Sequence, residues 1–277
     1  MKRPLIFGEI LFDCFDDGSS VCSGAPLNVC RNLKYLGYEP VMISRVGSDE
    51  LGNEAIDQLS GIGLELNGVQ RDTLHPTSRA TVRIKQGEPS YHFTPDSAWD
   101  HIDSTQALEA VATEPIDLLY TGTLALRSAI SREALFSLLN SIDAPLFFDA
   151  NLRAPWWEIE IVNQLLDRAR WLKCNKEEYA ILFGADTDPQ KVCREHQLEL
   201  VILTLGASGG ALHSANSSIQ AKPPPLIKPL KDTVGAGDAF ATAVLHGINQ
   251  GQPAEQILAE ALDLSARVCT FRGADWQ

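Results

Sequence analysis

Short apolar runs alternate with stretches of helical periodicity along most of the chain. The run 199–206 is a continuous apolar strand after its first residue, which is typical of a strand covered on both faces. The stretch 25–36 predicts a helix, because its apolar positions share one face, Pro26 lies in the first turn and Gly37 follows its end. Repeated units of this kind predict an α/β protein with a mainly parallel sheet and helices on both faces. Ligands bind such sheets beyond the carboxyl ends of the strands.

Two segments interrupt this alternation, at about 11–23 and 77–97. Both resemble β-hairpins, with turns at Asp17-Gly18 and Gly87-Glu88. We expect these inserted strands to project from the main sheet as a small β structure. The chain contains no internal repeat and no low-complexity linker, so the sequence predicts a single α/β domain over 1–277.

Composition narrows the classes of function. The 277 residues carry 23 Lys and Arg against 36 Asp and Glu, a formal net charge of −13. That charge disfavours a nucleic-acid partner, because it would repel phosphate backbones. The start of the chain lacks a signal-like apolar segment, and the longest uncharged run, 201–221, is interrupted by glycine and polar residues. The sequence therefore predicts a cytoplasmic protein without a membrane partner. Its six cysteines and six histidines show no metal-ligand spacing.

The stretch Asp232-Thr-Val-Gly-Ala-Gly-Asp-Ala-Phe240 carries the clearest chemical signal. Gly235, Ala236 and Gly237 let the backbone approach a ligand closely at the start of a predicted helix. The N–H groups there lack intrahelical partners and the helix dipole adds positive charge, so the turn can bind a phosphate. Asp238 is then placed to take a proton from a hydroxyl that attacks this phosphate. The alternative is an ordinary helix start at which Asp238 only complements the dipole.

Three further segments occur with this motif and resemble one family. They are Ser23-Gly-Ala-Pro-Leu-Asn28-Val29, Asn175-Lys-Glu-Glu178 and Thr204-Leu-Gly-Ala-Ser-Gly209. Together with 232–240, in this order, they resemble the ribokinase-like (PfkB) carbohydrate kinases along essentially the whole chain. The resemblance implies a ribokinase-like fold and an ATP-dependent kinase that phosphorylates a sugar hydroxymethyl group. It also implies a sugar and ATP as partners, Mg²⁺ as cofactor and K⁺ as a further candidate ion.

The resemblance assigns roles to individual residues. Asp238 would be the general base, and the backbone N–H groups of Gly235, Ala236, Gly237 and Asp238 would stabilise the transferring phosphoryl group. The expected nucleotide and metal positions are Asn175, Thr204, Gly206 and Gly209 for ATP, Glu178 for Mg²⁺ through water, and Asp232 with carbonyls near Arg272 and Gly273 for a monovalent cation. Considered without the family, Asn175 and Glu178 are more typical of an exposed helix cap than of a metal site, and Asp232 is also typical of a simple turn.

On the sugar side, the resemblance implies contacts from Asp13, Gly24, Asn28 and Arg153. The segments 24–29 and 149–157 look more like fructokinases than ribokinases, so fructose is the expected substrate and fructose 6-phosphate the product. The alternative within the family is 2-keto-3-deoxygluconate kinase, whose acidic sugar would need a cationic contact from Arg79, Arg83 or Lys85. An alternative of another class is a non-catalytic sensor of a sugar or nucleotide.

The inserted β segments resemble the lid that covers the sugar in this family. A thin β lid needs a packing partner, so we expect a homodimer formed through it, with Tyr91 and Phe93 as candidate contacts. Two departures from the family pattern matter. Ser23-Gly24 replaces the usual Gly-Gly pair, and the final helix lacks the Asn that often lies near adenine.

Overall fold

A computed structural model of the protein describes residues 3–85, 88–225 and 229–271, without the side chains of 82–91. The chain divides into two compact units, Met1–Ala144 and Pro145–Gln277. Each unit is described by itself below. One domain over 1–277 stays a prediction.

The first unit contains two sheets and four α-helices among its described residues. The strands are β1 (Pro4–Phe7), β2 (Leu11–Phe15), β3 (Ser20–Ser23), β4 (Val41–Gly47), β5 (Val69–Asp72), β6 (Ser78–Lys85), β7 (Glu88–Phe93) and β8 (Leu118–Thr121), and the helices are α1 (Ala25–Tyr35), α2 (Glu50–Gly61), α3 (Ser104–Val111) and α4 (Ala129–Ser141). Four parallel strands lie in the order β5-β4-β1-β8. Strand β1 is wholly apolar and buried, as expected of a strand with neighbours on both edges.

The two inserted segments form a sheet of their own, in the order β3-β2-β6-β7. Strands β2 and β3 form one antiparallel hairpin and β6 and β7 another, and β2 pairs with β6 in parallel. The first hairpin turns at Asp17-Gly18 as predicted, where Gly18 adopts φ +82°. Gly87, in the second predicted turn, lies outside the described residues. The expectation of a separate small β structure is confirmed.

The second unit contains five strands and five α-helices among its described residues. They are β9 (Leu146–Asp149), α5 (Ile159–Leu166), β10 (Ala169–Asn175), α6 (Lys176–Phe183), α7 (Pro189–Glu195), β11 (Leu200–Thr204), β12 (Gly210–His213), β13 (Ser218–Ala221), α8 (Ala236–Gln250) and α9 (Ala254–Val268). Strands β9, β10 and β11 are parallel neighbours, and β12 and β13 extend them antiparallel. The predicted fold, a mainly parallel sheet flanked by helices with a small second sheet, is confirmed.

The antiparallel pair β12–β13 departs from the repeated strand–helix pattern. A short 3₁₀ turn over Gly206–Ser208 reverses the chain directly after β11. Gly209 then adopts φ +99° where an added Cβ would lie 1.9 Å from the carbonyl oxygen of Ala221. Only glycine fits there, so the reversal is built into the sequence. No helix among the described residues is long and apolar enough to cross a membrane.

Candidate active site

In the second unit, three neighbouring parallel strands end in polar residues, two of which are predicted site residues, Asn175 and Thr204. Strand β9 ends at Asp149, β10 at Asn175 and β11 at Thr204. The register pairs Asp149 with Lys173 and Asn175 with Thr204. These side chains therefore gather at the carboxyl edge of the strands, where α/β sheets bind ligands.

Asn175 and Glu178 cap helix α6 reciprocally. The Glu178 N–H donates to Oδ1 of Asn175 at 2.8 Å, and the Asn175 N–H donates to Oε2 of Glu178 at 2.8 Å. Oε1 of Glu178 also accepts the N–H of Leu152 at 2.8 Å. The helix cap that the residue pattern allowed is therefore present. It is not an exposed one, because Glu178 is buried.

Burial gives Glu178 an unusual electrostatic environment. Removal from water raises the pKa of its carboxyl group above the ordinary value. The positive charge of Lys173 and the N–H groups of Asn175 and Leu152 act in the opposite direction without cancelling that effect. A carboxylate in this environment binds a cation favourably, because the cation compensates the cost of burying its charge.

Lys173 was not among the predicted site residues. Its Nζ lies 3.0 and 2.9 Å from the two carboxylate oxygens of Asp149, and both side chains are almost fully buried. Burial alone would lower the pKa of Lys173, but Asp149, Glu178 and Asp238 together raise it above the ordinary value. The available sequence signal was a lysine between the apolar residues Leu172 and Cys174 of the strand 169–174. Lysine is almost never fully buried without a partner.

The glycine-rich turn starts helix α8 as predicted. Gly235 is the N-cap residue, with φ +78°, and Asp238 lies in the first turn. The Ala239 N–H bonds to the Gly235 carbonyl at 2.9 Å, which closes that turn. An added Cβ on Gly237 would lie 3.3 Å from Nζ of Lys173. The structure therefore brings the turn together with the Asp149–Lys173–Glu178 group, which we call the buried charge cluster.

The predicted nucleotide loop follows β11. Thr204 is half-buried at the strand end, and Gly206 is exposed with φ +55° and open space around it. The N–H groups of Ser208 and Gly209 bond back to Leu205 and Gly206. The loop is thus short and braced, and it leaves Gly206 accessible to a ligand.

Asp232 lies just before the glycine-rich turn. Its Oδ1 accepts the N–H of Val234 at 3.0 Å, which is the simple turn that the residue pattern allowed. Arg272 and Gly273, named as further contributors to a cation site, lie outside the described residues. A monovalent cation at Asp232 stays a prediction.

In the first unit, the predicted sugar contacts lie on β2 and at the start of α1. Asp13 pairs in register with Val21 and is buried, rather than exposed on a surface hairpin. Gly24 adopts φ +127°, and an added Cβ would lie 2.4 Å from the carbonyl oxygen of Glu9. Asn28 is buried one turn into α1, where its N–H bonds to the Gly24 carbonyl at 2.8 Å. The glycine is therefore required by the fold itself.

Arg153 lies in the second unit, four residues after β9. It is partly exposed, and its carbonyl accepts the N–H of Trp156 at 2.7 Å. Its position after a strand end agrees with a ligand-facing loop. Its role as a clamp on phosphate or sugar oxygens stays a prediction.

Comparison with known protein families matches residues 16–275 to the pfkB family carbohydrate kinases. The chain belongs to this family. The fold and the activity expected from the motifs, that of an ATP-dependent carbohydrate kinase, are thereby confirmed. A fructokinase of Klebsiella pneumoniae is 29% identical over 283 residues, covering 95% of this chain and 90% of that protein.

Solved structures of sugar kinases have the same fold as this chain. An uncharacterized sugar kinase of Pyrococcus horikoshii has a TM-score of 0.85 and 25% identity, covering 99% of this chain and 94% of that one. A fructokinase of Vibrio cholerae O395, solved with fructose, ADP and calcium, has a TM-score of 0.84 and 24% identity over the same shares. The second likeness supports the fold.

Proposed function

We propose that this kinase transfers the γ-phosphoryl group of ATP to the hydroxymethyl group of fructose, giving fructose 6-phosphate and ADP. The observation that carries the proposal is the glycine-rich turn, which presents backbone N–H groups and a carboxylate within one helical turn of α8. Relatives named fructokinase support the choice of sugar, among them the Klebsiella pneumoniae enzyme at 29% and an Escherichia coli enzyme at 26% identity.

Asp238 is the proposed general base. Its carboxylate accepts the proton of the attacking hydroxyl, whose oxygen bonds to the γ-phosphorus as the bond to the β-phosphate oxygen of ATP breaks. The N–H groups of Gly235, Ala236, Gly237 and Asp238 donate to the oxygens of the transferring group. The helix dipole of α8 favours the negative charge gathered there.

The buried charge cluster fits a hydrated Mg²⁺ ion. Its donors are carboxylate oxygens, which Mg²⁺ prefers. Each oxygen of Glu178 already accepts a backbone N–H, which suits binding of the ion through water. Asp149, Glu178 and Asp238 act on one ammonium group, so the cluster has an excess of acidic side chains. Glu178 would hold the ion through water, with Asn175 beside it. When bound, the ion neutralises charge on the phosphates of ATP.

The sugar and nucleotide contacts of the proposal follow the family pattern. Asp13 would accept hydrogen bonds from the sugar hydroxyls, and the Asn28 amide would both accept and donate them. Gly24 would leave room for the ring. Arg153 would contact phosphate or sugar oxygens. Thr204, Gly206 and Gly209 would line the nucleotide side.

Two other acceptors remain as alternatives. An ATP-dependent 6-phosphofructokinase of Thermoanaerobacterium thermosaccharolyticum is 26% identical over 273 residues, which makes fructose 6-phosphate a second candidate acceptor. For 2-keto-3-deoxygluconate, Arg79 is an exposed cation on β6, while the side chains of Arg83 and Lys85 lie outside the described residues.

We also propose a homodimer formed through the β3-β2-β6-β7 sheet, which would act as a lid over the sugar. Phe93 is buried within its own chain, so it supports the sheet rather than presenting itself to a partner. The side chain of Tyr91 lies outside the described residues. Size-exclusion chromatography with light scattering would show a dimer, and a species of 30.3 kDa at micromolar concentration would contradict it.

The deciding experiment measures ADP release with Mg-ATP and K⁺ over fructose, fructose 6-phosphate, ribose and 2-keto-3-deoxygluconate. We expect a clear preference for fructose. Asp238→Asn should lower turnover by about 10²–10⁴-fold while ATP binding is kept, because only proton transfer is impaired. Asp263→Asn, an exposed change on α9, is the matched control and should leave turnover unchanged.

The outcomes separate the hypotheses. Preference for another acceptor would keep the mechanism and replace the sugar. Binding of sugar and ATP without turnover, unchanged in Asp238→Asn, would favour the non-catalytic sensor.

A further inference from the structure

Two histidines and an aspartate of the first unit converge at the base of the β6–β7 hairpin. His75 lies between β5 and β6, Asp96 follows β7, and His101 ends a short 3₁₀ helix over Ala98–His101. One donor atom from each side chain lies within 4.8 Å of the other two. Sequence spacing alone does not show this group, because the whole hairpin separates His75 from its neighbours. The expectation from spacing, that the histidines form no metal site, stays a prediction, and the proposal below would replace it.

The distances between the ligand atoms of the three side chains lie on either side of those in a tetrahedral zinc site. Nε2 of His101 lies 2.8 Å and Nε2 of His75 lies 3.9 Å from Oδ1 of Asp96. Zinc binds imidazole nitrogen and carboxylate oxygen at about 2.0–2.2 Å, which separates tetrahedral ligand atoms by roughly 3.3–3.5 Å. The observed separations bracket that range. Asp96 is 73% exposed, so an ion can reach the group from solvent.

The two rings stack face to face, with centroids 3.5 Å apart and an interplanar angle of 11°. An imidazole binds a metal ion through the lone pair of a ring nitrogen that carries no proton. A lone pair lies in the plane of its ring, so two parallel rings must tilt apart to bind one ion. Both histidine side chains are partly exposed, which gives the rings an open side.

A second carboxylate orients His75. Nδ1 of His75 donates to Oδ2 of Asp72 at 3.2 Å, which directs Nε2 of the same ring toward Asp96. Asp72 is buried, and its Oδ1 accepts the backbone N–H groups of Leu74 and His75 at 2.7 and 2.8 Å, which fixes the carboxylate. A carboxylate that holds the second nitrogen of a histidine is the usual support of a metal-binding imidazole.

Arg45 braces the same support from strand β4. Its Nε lies 2.7 Å from Oδ2 of Asp72, and one of its terminal nitrogens donates to the carbonyl of His101 at 3.0 Å. One side chain thus holds the backbone of His101 and the carboxylate that orients His75. The group is built from both ends of the hairpin and fixed to the parallel strands of its unit.

We propose that His75, Asp96 and His101 form a binding site for a divalent transition-metal ion of the zinc class, with water completing a tetrahedral shell. Two imidazoles and one carboxylate suit zinc better than magnesium, which prefers oxygen ligands alone. The ion would replace the proton between His101 and Asp96, and it would join the two ends of the β6–β7 hairpin. This site is separate from the residues proposed for phosphoryl transfer.

Zinc titration of the chelator-treated full chain tests the proposal, with a chromophoric chelator as competitor and no nucleotide present. We expect one ion per chain. His75→Gln and His101→Gln should each weaken binding by about tenfold or more. His196→Gln, which removes a histidine of the second unit, is the matched control and should leave the affinity unchanged. Zinc should also raise the melting temperature of wild type, but not that of His75→Gln or His101→Gln.

Asp96→Asn guards against misfolding, because Asp96 is exposed and its replacement should leave the circular dichroism spectrum intact. It should weaken zinc binding as well. Cobalt(II) substitution identifies the ligands, since a thiolate charge-transfer band would show that cysteine binds the ion instead. That band, unchanged affinity in the His75→Gln/His101→Gln double variant, or no zinc bound by wild type would each overturn the proposal.

Discussion

The two units each bury an ion pair of opposite charges, and the pairs differ in how their charge is used. In the first unit Arg127 pairs with Asp100, and in the second Lys173 pairs with Asp149. All four side chains are at most 8% exposed. Burying such charges is costly unless geometry and hydrogen bonds compensate. The comparison therefore turns on what compensates each pair.

The residues around the Arg127–Asp100 pair hold both side chains in place. Nε and one terminal nitrogen of Arg127 bond to the two oxygens of Asp100 at 2.7 and 2.6 Å. The same nitrogen donates to the Thr94 carbonyl at 2.7 Å, and the guanidinium lies 4.0 Å over the ring of Trp99. Asp100 also accepts the N–H of Ser97 at 2.8 Å. Every one of these contacts fixes the chain around the 3₁₀ helix 98–101.

The Lys173–Asp149 pair instead lies at the proposed phosphoryl-transfer site. An ammonium group is a compact charge without the fixed directions of a guanidinium. Two further carboxylates, Glu178 and Asp238, act on it, and the backbone of Gly237 lies against it. The difference teaches that a buried pair with surplus negative charge marks the candidate site, whereas a pair held by a two-point carboxylate contact, a carbonyl and an aromatic ring marks structure.

Among variants of these two pairs, the largest expected effect on turnover comes from Lys173→Met. This change removes the ammonium partner of Asp149 and the positive charge beside Gly237 and Asp238, so we expect turnover to fall by at least about tenfold. Lys173 is argued to act as a positioning residue, through the turn rather than on the sugar. The measurement is kcat and KM for the proposed acceptor, together with the free energy of unfolding.

The double variant Asp149→Asn/Lys173→Met separates an effect on the position of the glycine-rich turn from an effect on the stability of the fold. Replacing both charges also removes the carboxylate that lost its ammonium partner, so much of the lost stability should return. Turnover should stay low if Lys173 positions the turn. Recovery of turnover along with stability would reduce Lys173 to a structural residue.

The next largest effect is on stability alone, from Arg127→Met. Breaking a buried pair on one side costs about 3–5 kcal/mol, so we expect a loss of that order in the free energy of unfolding. Turnover per folded molecule should stay near wild type below the melting transition. The control is Arg194→Met, which breaks an exposed pair with Asp188 and should cost only about 0–1 kcal/mol. Equal losses in the two variants would refute the contrast.

Much of the fold and part of the candidate site could be predicted from the sequence. Helix α8, its glycine-rich entry and Asp238 follow from residue types whose backbone requirements are local. The separate small sheet followed from two segments with strand-like alternation between helical units. Asn175 and Glu178 follow a known capping pattern, so their mutual hydrogen bonds could be predicted as an alternative to a ligand role.

The rest depends on contacts that only the fold creates. The pairing of Lys173 with Asp149 is set by the register of two neighbouring strands, and a register is not visible in either strand alone. The burial of Asp13 depends on strands that lie far apart in the sequence. His75 meets His101 only because β6 and β7 return the chain to its starting point. Local patterns predicted the elements and the motif, and tertiary contacts supplied the charges around them.

The smallest effect sharpens the comparison through pH. The pKa of Lys173 is raised above its ordinary value of 10.5, so its stabilising contribution is complete below the unfolded pKa and is lost as pH rises through the folded pKa. Relative to Asp149→Asn/Lys173→Met, the stability advantage of wild type should fall by about 1.4 kcal/mol per pH unit between these two values. Arginine side chains keep their charge in this range, so the advantage over Asp100→Asn/Arg127→Met should stay constant. Urea unfolding at pH 8, 9.5 and 11, about the ordinary lysine pKa, measures both differences. Parallel decline of the two would show general alkaline unfolding rather than titration of one buried ammonium group.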